Sequence, residues 1–222
     1  PSYSAKNINT ILDWSAWTGQ SGGFQGAIEM CNNNGSCRKL DGGVMCPSFR
    51  VTKDEKDSTR GRANSLRLAL SGQLGENALI SDEMNETMKL CVSCKACKRE
   101  CPTGVDMSKM KIEIANLRAK KFGLDIHSKL VAFLPYYASL ASKFSFIMNL
   151  RDKIPGIAKL SELLFGFSAK RPLPQWRRDY FRNNEIPNTI NDIDQRVPVI
   201  LFVDTFNRYY EPENVRSAIK VL

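Results

Sequence analysis

The chain has 222 residues, 42% hydrophobic and 25% charged, with 32 Lys and Arg against 23 Asp and Glu for a formal net charge of +9. That composition excludes a disordered chain, and at roughly 150 residues per domain it allows one domain or two. The basic excess admits an anionic partner (nucleic acid, membrane surface, acidic protein or anionic cofactor) without choosing among them.

In chain order, the segment Pro1-Ser2-Tyr3-Ser4-Ala5-Lys6 lacks the basic-then-apolar layout of a secretory signal. It also lacks an initiator Met, so we expect a piece cut from a longer chain. Residues 1–30 interleave Gly19, Gly22, Gly23 and Gly26 with Trp14, Trp17 and Phe24 and read as a loop-rich lead-in with a little helix. Ser58-Thr59 is placed to cap a helix through Leu70, with Gly72 as its stop. A second helix is expected from Asp82 through Met84, Met88 and Leu90, and a third from about Asp106 to Phe122. In the third, Met107, Met110, Ile114 and Leu117 fall at helical spacing before Gly123.

Residues 124–182 read as helical and amphipathic, punctuated by Pro135, Pro155, Pro172 and Pro174. Their greasiest stretch, Val131 to Leu150, is broken by Pro135 and Lys143, whereas a membrane span needs about 20 nearly uncharged residues. Pro172-Leu173-Pro174 reads as an extended linker. Val197 to Val203 is a β-rich apolar run like a buried parallel strand, followed by a loop and a helix near Pro212. One β-then-α unit cannot bury a core, so the chain is expected to end just inside an α/β domain. The fold class read here is mainly α, followed by the start of that α/β domain.

All seven cysteines fall within residues 31–110. An odd count beside a single His argues against a secreted disulfide framework and for a reducing compartment. Cys91, Cys94, Cys97 and Cys101-Pro102 form C-x₂-C-x₂-C-x₃-C-P, the spacing of [4Fe–4S] proteins, in which the fourth Cys serves the other cluster of a pair. Three thiolates two residues apart let a tight loop wrap three corners of a cube, and the fourth corner comes from a distant segment. Subtracting sixty maps Cys91 onto Cys31, Cys97 onto Cys37 and Cys94 onto Asn34. Cys101-Pro102 maps onto Cys46-Pro47 after five extra residues.

Crossing the fourth ligands assigns Cys91, Cys94, Cys97 and Cys46 to one cluster. Cys31, Cys37 and Cys101 remain for a second, with Asn34 where a thiolate is missing. Three thiolates can hold a three-iron cluster, a cube with one non-cysteine corner, or nothing. The competing readings are buried structural cysteines and structural zinc, although zinc knuckles are usually paired C-x₂-C units set further apart.

Gly35-Ser36-Cys37-Arg38-Lys39, Asp41-Gly42-Gly43-Val44-Met45-Cys46-Pro47 and Ser58-Thr59-Arg60-Gly61-Arg62-Ala63 resemble the ferredoxin-like region of bacterial FAD-linked 2-hydroxyacid dehydrogenases. The enzymes most resembled act on D-2-hydroxyglutarate or D-lactate, and the region is related to the glycolate oxidase iron–sulfur subunit and heterodisulfide reductase. The run from Phe202 to Asn214 resembles the opening of a heterodisulfide-reductase-like domain. The resemblance implies a lead-in over 1–30 from a preceding FAD-binding region and an α-helical ferredoxin domain over 31–123. A helical extension and linker over 124–195 and a truncated α/β start over 196–222 would follow.

The implied function is electron transfer, passing electrons singly from flavin to a downstream acceptor. FAD and the hydroxyacid would bind in the preceding region, so the chain is not catalytic on substrate by itself. The implied partners are that FAD-binding domain and the acceptor, in the cytoplasm or at the periphery of a membrane. Neither nucleic acid nor a transmembrane segment is expected.

Lys95, Lys98 and Arg99, with Arg38 and Lys39, read either as cations that raise a cluster's potential and dock a partner or as a solvated face. Arg60, Gly61 and Arg62 read as a helix's first turn or as a contact with the flavin domain. His127 has no catalytic partner in the sequence, and Leu163, Leu164, Phe165 and Phe167 read as core. P-loop, G-x-G-x-x-G, zinc-protease and G-x-S-x-G motifs are absent. The alternative function is a structural or regulatory Fe–S or Zn cluster in a nucleic-acid-binding protein. The dispersed basic residues and the lack of a reader motif speak against it.

Overall fold

Two units divide the chain, residues 1–123 and 124–222. A computed structural model describes residues 5, 8–17, 22–186 and 199–222. It is mainly helical, and no strand occurs among the described residues.

The first unit carries α1 (Gly23–Glu29), α2 (Pro47–Thr52), α3 (Thr59–Leu70), α4 (Asp82–Lys89), α5 (Ala96–Glu100) and α6 (Met107–Phe122). The three long ones begin where the sequence offers a cap. Ser58 Oγ accepts from Gly61 N at 2.9 Å, Ser81 Oγ from Met84 N at 3.2 Å, and Asp106 Oδ1 from Lys109 N at 3.1 Å. Gly123, at φ 78, follows α6 in a conformation that other residues adopt at a cost.

Apolar positions three and four apart then meet in one core: Leu66 and Leu70 of α3, Met84 and Met88 of α4, Met107, Met110 and Ile114 of α6. Trp14, Phe24, Ile28 and Phe49 close it, while Leu117 is only partly buried. A fully buried carboxylate also stitches this unit. Glu113 accepts from Ile11 N at 3.0 Å, Leu12 N at 2.8 Å and Trp14 Nε1 at 2.8 Å. Its desolvation is thereby offset by three donors, and the lead-in is held on α6.

The second unit carries α7 (Ile126–Ala132), α8 (Leu134–Lys143), α9 (Ser145–Met148), α10 (Leu150–Lys153), α11 (Ile157–Phe165), α12 (Thr205–Tyr209) and α13 (Pro212–Val221). The helix read over 124–182 ends at Phe165: apart from a short 3-10 turn at Asn183–Glu185, residues 167–186 are non-helical, because Pro172 and Pro174 lack the N–H a helix needs. Phe181 N donates to Arg208 O at 2.9 Å and the Phe181 ring is buried, which pins this stretch to α12.

Two expectations are corrected here. Val199 to Val203 forms no strand, and Ile200 and Phe202 are 95% and 86% exposed; Val197 and Pro198 lie outside the described residues. A strand exists only against a neighbour that shares its ladder, and none is described for this run. The Leu163, Leu164 and Phe165 patch is not core either: α11 buries none of its residues, and Leu163 is 82% exposed. The helix at Pro212 is found, with proline in its first turn.

Candidate metal centre

The two cysteine loops repeat in backbone as well as in sequence. α1 ends at Glu29 and α4 at Lys89, sixty residues on. Cys31 N then donates to Ile28 O at 3.2 Å, and Cys91 N to Met88 O at 3.0 Å. Asn33 and Ser93 are both left-handed, with φ 63 and 54, as are Gly35 and Lys95, with φ 77 and 60. Ser93 and Lys95 accept this conformation without being Gly, a local strain typical of loops shaped around a ligand. The chain then turns helical at Ser36 and at Ala96.

Around the second loop lies a small cavity lined by Cys46, Cys91, Cys94 and Cys97. Ser48, Thr59, Arg62, Met107 and Ser108 also line it. Cys46 and Cys97 are buried, Cys91 is half-buried and Cys94 is exposed at the mouth. Cys101 is absent from this lining, so the four cysteines on the cavity are the three local ones and the distant Cys46.

Cys46 reaches the cavity through a clamp that the sequence does not announce. The Glu100 carboxylate accepts from Val44 N at 2.9 Å and from Met45 N at 2.9 Å, joining the two cysteine segments. These N–H groups hold the Glu100 carboxyl below its usual range. Gly43, at φ 59, permits the approach: a Cβ there would sit 2.6 Å from Glu100 Oε2. Pro47 then opens α2 directly after Cys46, so the thiol sits at the start of that short helix.

Burial and nearby donors act in opposite directions on an anion in this place. Burial pushes the Cys97 thiol up, against the N–H groups of Met107 and Ser108 in the first turn of α6. An anionic group bound to its sulfur would meet those donors and the helix's positive end. Fully buried Arg62 places Nη1 3.6 Å from Cys46 Sγ. Half-buried Lys111 donates from Nζ to Cys91 O, and desolvation lowers its pKa despite the opposing influence of Cys91.

The remaining cysteines are placed differently. Cys31 and Cys37 are buried, and Cys37 Sγ accepts from Arg60 N at 3.3 Å at the start of α3. Burial raises the Cys37 thiol, with that N–H and the Ser58 hydroxyl opposing. Asn34 turns its amide into its own loop: Oδ1 accepts from Ser36 N at 2.9 Å and Nδ2 donates to Asn32 Oδ1. Cys101 lies 3.3 Å from Thr103 Oγ1. Against partial burial, that hydroxyl and the N–H groups of Val105, Thr103 and Gly104 lower its thiol below the usual value. Among the described residues, no three His, Cys, Asp or Glu side chains gather closely enough for a single metal ion. Cys46, Cys91, Cys94 and Cys97 line one cavity without closing on one point.

That donor set fits an iron–sulfur group better than a lone cation. Four thiols on one cavity, N–H groups at a helix start and a buried guanidinium match a bulky, thiolate-ligated anion. Sequence reasoning missed Glu100 and Ser48; it read Arg62 as part of a helix's first turn or a flavin-domain contact, and the structure places it in the first turn of α3, completely buried. His127, with Nδ1 3.1 Å from Phe165 O, takes no part in the cavity.

Residues 27–105 match the family described as a 4Fe-4S dicluster domain, which covers both cysteine loops. The chain is 25% identical over 243 aligned positions to D-2-hydroxyglutarate dehydrogenase of Escherichia coli (strain K12), covering 90% of this chain and 24% of that protein. It is 26% identical to the protein of the same name from Pantoea ananatis, with 90% and 24% covered, and 24% identical to that of Haemophilus influenzae, with 88% and 23% covered. The chain therefore spans about a quarter of the length of the curated relatives it matches. No solved structure matches it. These findings bear out the resemblance to the iron–sulfur region of FAD-linked 2-hydroxyacid dehydrogenases. Residues 27–105 thus carry the signature of a 4Fe-4S dicluster domain. Among the described residues, no helix is long and apolar enough to cross a membrane.

Proposed function

We propose that this chain is the electron relay of an FAD-linked D-2-hydroxyacid dehydrogenase, taking electrons singly from a flavin and passing them to a downstream acceptor. The cavity lined by Cys46, Cys91, Cys94 and Cys97 carries this reading, because those four cysteines and not Cys101 lie on it. In this account Cys91, Cys94 and Cys97 hold three corners of a [4Fe–4S] cluster, and Cys46 supplies the fourth. Cys31, Cys37 and Cys101 are left for an incomplete second site in which Asn34 replaces a thiolate.

When bound, the cluster supplies a one-electron way-station between a two-electron flavin and a one-electron carrier. The chain's own residues do the rest. Glu100 holds the 43–46 loop against α5, the first turn of α6 presents N–H groups to Cys97, and the core of α3, α4 and α6 excludes water from the inner wall. Cys94, exposed at the mouth, marks the edge nearest to solvent and to an exchanging partner. FAD and the hydroxyacid belong to a separate FAD-binding part of the same protein, as the short coverage of the relatives suggests.

The test is anaerobic reconstitution with iron and sulfide, followed by mixing with reduced flavin and then with a one-electron acceptor such as ferricyanide. We expect about four irons and four sulfides per chain, with visible absorption that bleaches by one electron and returns on oxidation. Protein that takes up no iron, or whose cluster neither accepts nor returns an electron, overturns the proposal.

A further inference from the structure

We propose that Arg62 is a buried counter-charge that raises the reduction potential of the cluster held by Cys46, Cys91, Cys94 and Cys97. The inference rests on that ligand reading and adds a tuning residue to it. Arg62 lies in α3 with none of its surface exposed, although an unpaired buried charge is among the costliest features a fold can carry. A guanidinium is a permanent charge in proteins.

The surroundings are built to hold the group in one orientation. Nε donates to Thr87 O at 2.8 Å, Nη1 to Asp57 O at 2.6 Å, and Nη1 and Nη2 to Ser48 Oγ at 3.2 and 3.1 Å. Those three acceptors are neutral. The one carboxylate, Asp57, is also buried and meets Nη2 at 3.4 Å. Nη1, on the other limb of the fork, stands 3.6 Å from Cys46 Sγ on the cavity wall. The limb of the fork at the thiol is thus not the one that meets the Asp57 carboxylate, and the Asp57 backbone carbonyl lies 3.5 Å from the same sulfur.

One-electron reduction adds one negative charge to the cluster and its thiolates, breaks no bond and needs no proton. The electron comes from the reduced donor, flavin in the proposed relay and dithionite in the test. A fixed positive charge at low local dielectric stabilises the reduced form more than the oxidised one, which raises the potential. Lys95, Lys98 and Arg99 carry the same sign near the mouth, but they are exposed and screened by salt. Arg62 is shielded from both.

The experiment is a dithionite titration of reconstituted protein, followed by electron paramagnetic resonance, with iron counted in every variant. Arg62→Met should lower the midpoint so that the reduced-to-oxidised ratio at the parent midpoint falls at least tenfold, about 59 mV for one electron. Asp57→Asn should move it the opposite way by removing the opposing charge, and Arg62→Lys should stay near the parent. A residue that merely supports the fold would lower thermal stability in the Met and Asn variants alike without opposite shifts in potential. If Arg62→Met does not fold, the rise in Asp57→Asn and the parental value in Arg62→Lys carry the test. Unchanged potential in Asp57→Asn, or shifts of one sign in both variants, overturns the inference. Parent protein without a cluster overturns the ligand reading first, and the iron count makes that failure distinct.

Discussion

Asn33 and Ser93, sixty residues apart, hold the same left-handed backbone, and each directly precedes the residue at which the two cysteine loops differ, Asn34 and Cys94. The two loops therefore share a shape although one of them lacks the middle thiolate. The left-handed turns at Gly35 and Lys95 repeat the correspondence on the other side. Asn34 spends its amide on Asn32 and on Ser36 N, which keeps the loop closed without a metal.

Asn34→Cys should consequently add binding capacity without altering the fold. We expect iron per chain, after anaerobic reconstitution, to rise above that of the parent, with helicity by circular dichroism unchanged. An Asn amide is a poor iron ligand beside a thiolate, so the gain comes from the fourth corner. Unchanged iron content would mean that Cys31, Cys37 and Cys101 bind nothing.

Much of this architecture is legible in the residues, for reasons that differ by element. Ser58, Ser81 and Asp106 mark helix starts because capping is local chemistry, and Met107, Met110 and Ile114 mark a buried face because helical spacing is local too. That Cys46 lies on one cavity with Cys91, Cys94 and Cys97 was legible only through the sixty-residue repeat. Its means of delivery was not: Glu100 binds two backbone N–H groups more than fifty residues away, and backbone donors leave no trace in a sequence. Arg62 escaped for the same reason, since Thr87 O and Asp57 O are carbonyl partners. The apolar run ending at Val203 misled because β-propensity describes a fit to a neighbouring strand, and none is described.

Gly61 is predicted to be irreplaceable. A Cβ on it would lie 2.0 Å from Glu55 O and 2.7 Å from Glu55 C, both backbone atoms. Gly61→Ala must push α3 away from the 55–57 turn and loosen the Arg62 cradle. We expect a loss of about 2–3 kcal/mol in urea unfolding. A change below about 0.5 kcal/mol would show that the turn yields freely.

In the second unit, Arg177 bridges Asp179 at 2.8 Å and Glu213 at 2.5 Å, while Arg216 reaches Glu185 at 2.7 Å. The Arg177 hydrogen bond lowers the Asp179 carboxyl from 3.8 to about 2. A depressed carboxylate contributes stability above its unfolded value and loses it as pH falls through the folded one. The thermal midpoints of the parent and Asp179→Asn should therefore differ at pH 5 to 7 and converge between about pH 4 and 2. The gap should be small and shrink in high salt, because the Asp179 side chain is 57% exposed. A gap that persists at pH 2 would contradict the ion-pair origin.

The most direct measurement compares Cys46→Ser with Cys101→Ser after identical anaerobic reconstitution, reading iron, sulfide and the resonance of the dithionite-reduced protein. The account predicts that Cys46→Ser loses the parent cluster signal or shifts it to a three-iron form, while Cys101→Ser retains the signal from the cavity of Cys46, Cys91, Cys94 and Cys97. Loss of that signal in Cys101→Ser, with parental iron and spectrum in Cys46→Ser, would contradict the account.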